Sequence, residues 1–89
     1  MRTVCTVAPG VLAQELDGET ILLDSTSGTY FRLNETGTRV WEAVVEGRSP
    51  EEVVGDLVNS TGADLASVRA DVAALLALLA SKGLVSTAA

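Results

Sequence analysis

At Asn34 the chain changes period. Just upstream, Thr29, Tyr30, Phe31, Arg32 and Leu33 carry the two-residue alternation of a strand, whereas downstream the apolar residues recur at three- and four-residue intervals, as on helices. Asn34 itself is a good helix N-cap, because its side-chain oxygen is placed to accept from backbone N–H groups of the next turn. Glu35 follows near the positive end of the helix dipole. Everything before this junction reads as β structure and everything after it as helix. The expected class is α+β, a three-stranded antiparallel sheet followed by three helices.

The β half reads as a meander. Residues 11–16 form one strand, Asp17-Gly18 favours positive φ and a tight hairpin turn, and residues 20–24 return as a second strand. Its Ile21, Leu22 and Leu23 stand together, as in a strand covered on both faces. A second turn cluster, residues 24–28, leads into residues 29–33. There the period of two puts Thr29, Phe31 and Leu33 towards the helices, and Tyr30 and Arg32 on the opposite face. Residues 1–9, with the alternating Thr3, Val4, Cys5, Thr6 and Val7, read as an N-terminal arm or a short edge strand.

The first helix is expected to run to about Val45, burying Val40, Trp41, Val44 and Val45, with Gly47 as a left-handed cap. Gly37 lies in its first turn, where glycine costs up to about 1 kcal/mol relative to alanine. Either a neighbouring element approaches closely there or the glycine is simply tolerated. Ser49-Pro50-Glu51-Glu52 carries an N-cap serine, proline at the first helical position and a glutamate that completes a capping box. The second helix therefore starts at Pro50, turns Val53, Val54, Leu57 and Val58 inward, and ends near Gly62. Glu51 and Glu52 serve the cap and not acid–base chemistry.

Asp64 caps a third helix that continues to Lys82, with Gly83 as its stop and Lys82 matched to the negative end of the dipole. One stripe, Leu65, Val68, Val72, Leu75 and Leu79, is expected in the core. Leu76, Leu78, Ala73, Ala74, Ala77 and Ala80 cover much of the remaining circumference. A helix this apolar, late in an 89-residue chain, has too few neighbours to bury it all around. Part of it is expected to form an oligomer contact or a peptide-binding wall. Gly83, Leu84 and Val85 fold back as a clasp, residues 86–89 form a tail, and residues 10–85 make a single domain.

Composition narrows the function. A net charge of −6, with only six Lys and Arg, argues against nucleic acid as a partner. The absence of histidine and the single cysteine, Cys5, exclude an internal disulfide and leave no plausible zinc or haem site. No phosphate loop, nucleophile–base pair or metal-spaced cluster is present, so neither catalysis nor a cofactor is expected. Pro9, Gly10 and Gln14 interrupt any signal-peptide core, and the longest apolar run, residues 72–80, falls well short of the roughly 18 residues of a membrane span. A cytoplasmic binding module remains, monomeric or weakly dimeric. Its arrangement is like a winged helix-turn-helix, with a charge that excludes the usual DNA ligand.

The ordered set Leu22-Leu23-Asp24, Ser27-Gly28-Thr29-Tyr30, Leu33-Asn34-Glu35-Thr36-Gly37, Val40-Trp41, Glu46-Gly47-Arg48-Ser49, Asp71-Val72 and Gly83-Leu84-Val85 resembles the PqqD-like family. These are the precursor-peptide recognition elements of ribosomally made, post-translationally modified peptides. Within it the chain is most similar to the stand-alone leader-recognition subunit of lasso-peptide biosynthesis. It departs at residues 24–28, where the quinone-pathway PqqD tends to carry Pro-Glu. The resemblance implies that a leader peptide adds as a strand beside Thr29, Tyr30, Phe31, Arg32 and Leu33, in a groove walled by the third helix. Val68, Asp71, Val72, Leu75, Leu76 and Leu79 are the candidate residues of that helix, Tyr30 stacking on a leader aromatic or proline and Asp71 pairing with a leader Lys or Arg. The implied partners are a transglutaminase-like leader peptidase and a lasso cyclase. The alternatives are a PqqD-type chaperone for a radical-SAM enzyme, an acidic winged-helix regulator acting through protein contacts, and a homodimer that buries the last helix.

Overall fold

A computed structural model describes residues 4–88. Its elements are β1 (Val4–Val7), β2 (Val11–Leu16), β3 (Glu19–Asp24), β4 (Tyr30–Leu33), α1 (Glu35–Val45), α2 (Pro50–Thr61), α3 (Leu65–Ser81) and β5 (Val85–Ala88). The expected meander is present as an antiparallel sheet of order β2-β3-β4, followed by the three expected helices. Asp17 and Gly18 both take positive φ, 53° and 81°. That is the type I′ geometry whose twist suits a two-residue hairpin, and it fixes Leu16 opposite Glu19.

Helix boundaries follow the capping chemistry. The Asn34 side chain accepts from the Gly37 N–H at 2.8 Å, and Asp64 accepts from the Ser67 N–H at 3.1 Å. At α2 the Ser49 hydroxyl and the Glu52 carboxylate satisfy each other's backbone N–H groups. The Ser49 backbone N–H, and the Ser49 hydroxyl through a further bond donated to Glu52 Oε1 at 3.2 Å, hold the Glu52 carboxyl below its usual range. Gly37 is buried, and a Cβ there would come within 3.3 Å of the Leu33 side chain and of Asn34 Oδ1. The close approach is thus to the residues that lead into the helix, where the first turn of α1 folds down over the end of β4.

The core joins one face of the sheet to all three helices. Leu22 and Leu33 meet Val40, Trp41 and Val44 from α1, Val53, Val54 and Leu57 from α2, and Val68, Val72, Leu76 and Leu79 from α3. Within it lies one polar pair, as the buried Thr20 Oγ1 donates to Thr38 Oγ1 at 2.9 Å. Thr38→Val removes that acceptor and strands a buried hydroxyl, so a loss of about 1–3 kcal/mol is expected in urea denaturation. Adding Thr20→Val should restore most of it, because then neither side chain has a polar atom to satisfy.

Several expectations need correction. The segment expected as a tail pairs with the N-terminal segment: β5 lies antiparallel to β1, with Val7 opposite Val85 and Val4 opposite Ala88. Residues 1–3 of the expected arm and residue 89 of the expected tail lie outside the described residues. Leu23 is exposed and Ile21 half-buried, so β3 is fully covered only on the Thr20–Leu22 face. Val45 is 61% exposed and Leu65 48% exposed, both at helix ends that overhang the core, whereas Leu76 is buried. Val58 is only half-buried, packed at the rim of the core.

Candidate functional site

β4 is a terminal strand of the sheet, so one side of its backbone is free of a strand neighbour among the described residues. The direction of its free groups follows from the ladder. The Asp24 N–H donates to the Thr29 carbonyl at 2.8 Å. Since hydrogen-bonded and non-bonded pairs alternate in an antiparallel ladder, Leu22–Phe31 and Thr20–Leu33 are bonded pairs as well. The N–H and C=O groups of Tyr30 and Arg32 therefore point to the open edge, with the spacing that an added strand requires.

β2, at the other margin, is also a terminal strand but has no wall. All of its side chains except half-buried Val11 are exposed. α3 packs on α2 and β5 and makes few close backbone approaches to β4. One side-chain contact links the end of α3 to the strand, as Lys82 Nζ lies over the Phe31 ring at 5.6 Å from its centroid. Among the three helices lies a cavity of ≈ 260 Å³, lined mainly by apolar surface. Val68, Asp71, Val72 and Leu75 of α3 form one side, with Thr36 and Val40 of α1 and Leu57 of α2 opposite.

The structure sorts the sequence-derived candidates into layers. Thr29, Tyr30 and Arg32 are exposed, Phe31 and Leu75 are half-buried, and Asp71 is exposed at the cavity. Val68, Val72 and Leu76 are buried, with Val68 and Val72 reaching the cavity lining. Leu33 and Leu79 are core residues, 2% and 0% exposed. Tyr30 and Arg32 lie on the face away from the helices. There Tyr30 continues a row across the sheet through Leu23 to Leu12, and Arg32 pairs with Glu19. That carboxylate, first by hydrogen bonding and then by its charge, raises the Arg32 pKa and holds the guanidinium protonated.

Sequence reasoning left two exposed residues of α3 and its cap out of the candidates, Leu78 and Lys82, of which Lys82 meets Phe31. They stand at i+7 and i+11 from Asp71, on the same flank of α3 as Leu75, a spacing readable from the sequence. It also missed Thr36, Val40, Leu57, Thr61 and Ala63, which enter the cavity lining from α1, α2 and the α2–α3 connection. No local pattern marks these, because tertiary packing brings them together.

Residues 19–85 match the family described as Coenzyme PQQ synthesis protein D (PqqD). The chain belongs to the PqqD family. Two solved structures share the PqqD-like fold over nearly their whole length. TbiB1 in complex with the TbiA(beta) leader peptide is 33% identical, with a TM-score of 0.86, over 91% of this chain and 94% of that one. A lasso peptide synthetase B1 complexed with the leader peptide is 27% identical, also with a TM-score of 0.86, over 92% of this chain and 96% of that one. Curated protein sequences gave no significant match. Among the described residues of this PqqD family member there is no group of three or more metal-binding side chains and no helix long and apolar enough to cross a membrane.

Proposed function

We propose that this chain is a non-catalytic adaptor of lasso-peptide biosynthesis. It binds the leader segment of a precursor peptide as a strand added to β4, with alternate leader side chains against α3, and presents it to a transglutaminase-like leader peptidase and thence to a cyclase. The observation that carries the reading is the open edge of β4, a strand that the C-terminal end of α3 reaches through Lys82 over Phe31. Two relatives of the same fold hold leader peptides. In this mode backbone hydrogen bonds, each worth a net of about 0.5–1.5 kcal/mol, supply affinity, and pockets for alternate side chains supply selectivity. Two apolar leader anchors, each contributing on the order of 1.5–3 kcal/mol on burial, bring the sum to low micromolar binding or better after ordering costs.

Calorimetric titration with the leader of the cognate precursor peptide is expected to saturate with a Kd below about 10 µM, or roughly −7 kcal/mol. Absence of saturable binding at that level would sink the proposal. Arg32→Pro provides the control for strand addition. Its lost N–H faces the open edge, where proline is tolerated in sheets, so the fold should persist while leader affinity falls about tenfold or more. Arg32→Ala, which keeps the N–H, should bind nearly as well as the parent.

A further inference from the structure

We infer that the groove reads the charge order of its peptide. A basic side chain is accepted at the Asp71 end, an apolar one in the middle, and an acidic one at the Lys82 end, in that order from the peptide's N-terminus. The inference rests on the strand-addition reading above and adds to it a direction and a sequence rule.

Asp71, Leu75, Leu78 and Lys82 follow one another along a single flank of α3, within roughly 60° at about 100° per residue. The core-facing residues of the helix, Val68, Val72, Leu76 and Leu79, occupy the adjoining arc. Contact of Lys82 with the Phe31 ring brings the C-terminal end of that flank to β4. Both terminal charges are exposed, and among the described residues neither has an ion-pair partner. Every exposed Arg that does pair takes another carboxylate: Arg32 with Glu19, Arg48 with Glu52 and Asp56, Arg69 with Glu51. The groove thus has a negative end and a positive end, joined by two leucines.

The direction comes from topology. Thr36, just past the C-terminal end of β4, shares the cavity with Asp71, whereas Phe31, within the strand, meets Lys82. α3 therefore runs antiparallel to β4. A peptide added antiparallel to β4, as every other pair in this sheet is arranged, runs with α3, from Asp71 towards Lys82.

The spacing comes from the two repeats. Asp71 and Lys82 are separated by about 16 Å along the helix, at roughly 1.5 Å per residue. In a strand, alternate residues point to one face, and positions i and i+4 stand about 13 Å apart. The flexible side chains of Lys82 and of the peptide span the remainder. A peptide with Lys or Arg at i, an apolar residue at i+2 and Asp or Glu at i+4 fits this face.

A displayed library of random 12-residue peptides, selected on the immobilised full chain and on the Asp71→Lys/Lys82→Glu double variant, tests the inference. Both positions are exposed, and circular dichroism verifies the fold of the variant. The parent chain is expected to enrich basic-x-apolar-x-acidic sequences, and the double variant the reverse order. Synthetic peptides of the two orders should differ about tenfold in Kd on each protein, with opposite sign, a gap of about 1.4 kcal/mol. Enrichment of binders with no charge order, or with the same order on both proteins, overturns this inference and leaves strand addition standing. Failure of the folded double variant alone to enrich any peptide also overturns this inference, and failure of the folded parent chain overturns strand addition along with it.

Discussion

Leu79→Ala is expected to destabilise the chain by about 2–5 kcal/mol, the range for truncating a large buried aliphatic residue. Leu79 is fully buried in the last turn of α3, within the cluster that includes Leu33, Leu76 and Leu84. Its carbonyl also accepts the Leu84 N–H at 3.0 Å, where Gly83 at φ 74° turns the chain from α3 into β5. This is the helix stop in which the residue beyond the glycine bonds back over the last turn and packs against it. A cavity at Leu79 thus loosens the helix end and the β1–β5 ribbon together. Urea denaturation should show a lower midpoint with an unchanged slope, whereas Leu78→Ala, one residue earlier on the groove flank, should stay within about 0.5 kcal/mol of the parent. Unaltered stability with lost leader affinity in Leu79→Ala would place this residue in the groove and refute its core assignment.

Leu79 also marks where sequence reasoning reaches its limit. Caps and turns were legible because their signals are local: Asn34, Ser49 to Glu52 and Asp64 each carry a side-chain acceptor at a fixed offset from the N–H it satisfies. The strand at Tyr30–Leu33 was legible for the same reason, its alternation lying between a turn and a cap. In α3, by contrast, Leu and Ala recur on every side, so periodicity cannot choose which arc is buried. The core took Leu76 in place of Leu65, because Leu65 overhangs the start of the helix while Leu76 lies well inside it, within the buried cluster.

The β1–β5 ribbon was hidden for a different reason. Its pairs join opposite ends of the chain, Cys5 with Thr87 and Thr6 with Ser86, and residues 86–88 carry no apolar alternation of their own. Closing so long a loop is favoured only once Leu84 and Val85 are seated in the core, an effect that no window of ten residues contains. The groove combines both situations. Its strand edge follows from the ladder phase, but its cavity draws on three helices, and only the fold brings Thr36 opposite Asp71.

Leu75→Glu should abolish leader binding while the chain remains folded, and this substitution isolates the helix wall from the strand edge. Leu75 is half-buried at the cavity, one turn beyond Asp71 and between core and groove flank. Without a peptide, the new carboxylate reaches water through the open groove. Its folding cost is then the loss of one partly buried leucine and a like-charge i, i+4 pair with Asp71, about 1–2 kcal/mol together. Once a strand covers the groove, the carboxylate loses its water, and the apolar peptide residue expected opposite offers it no hydrogen bond. Stranding a polar group in that way costs on the order of 3 kcal/mol or more, at least a hundredfold in Kd. Leu75→Met, of similar volume and polarity, should bind within a fewfold of the parent. Circular dichroism and leader titration on the three proteins decide the point. Loss of helicity in Leu75→Glu would make Leu75 a core residue, and undiminished binding would move the peptide off this wall.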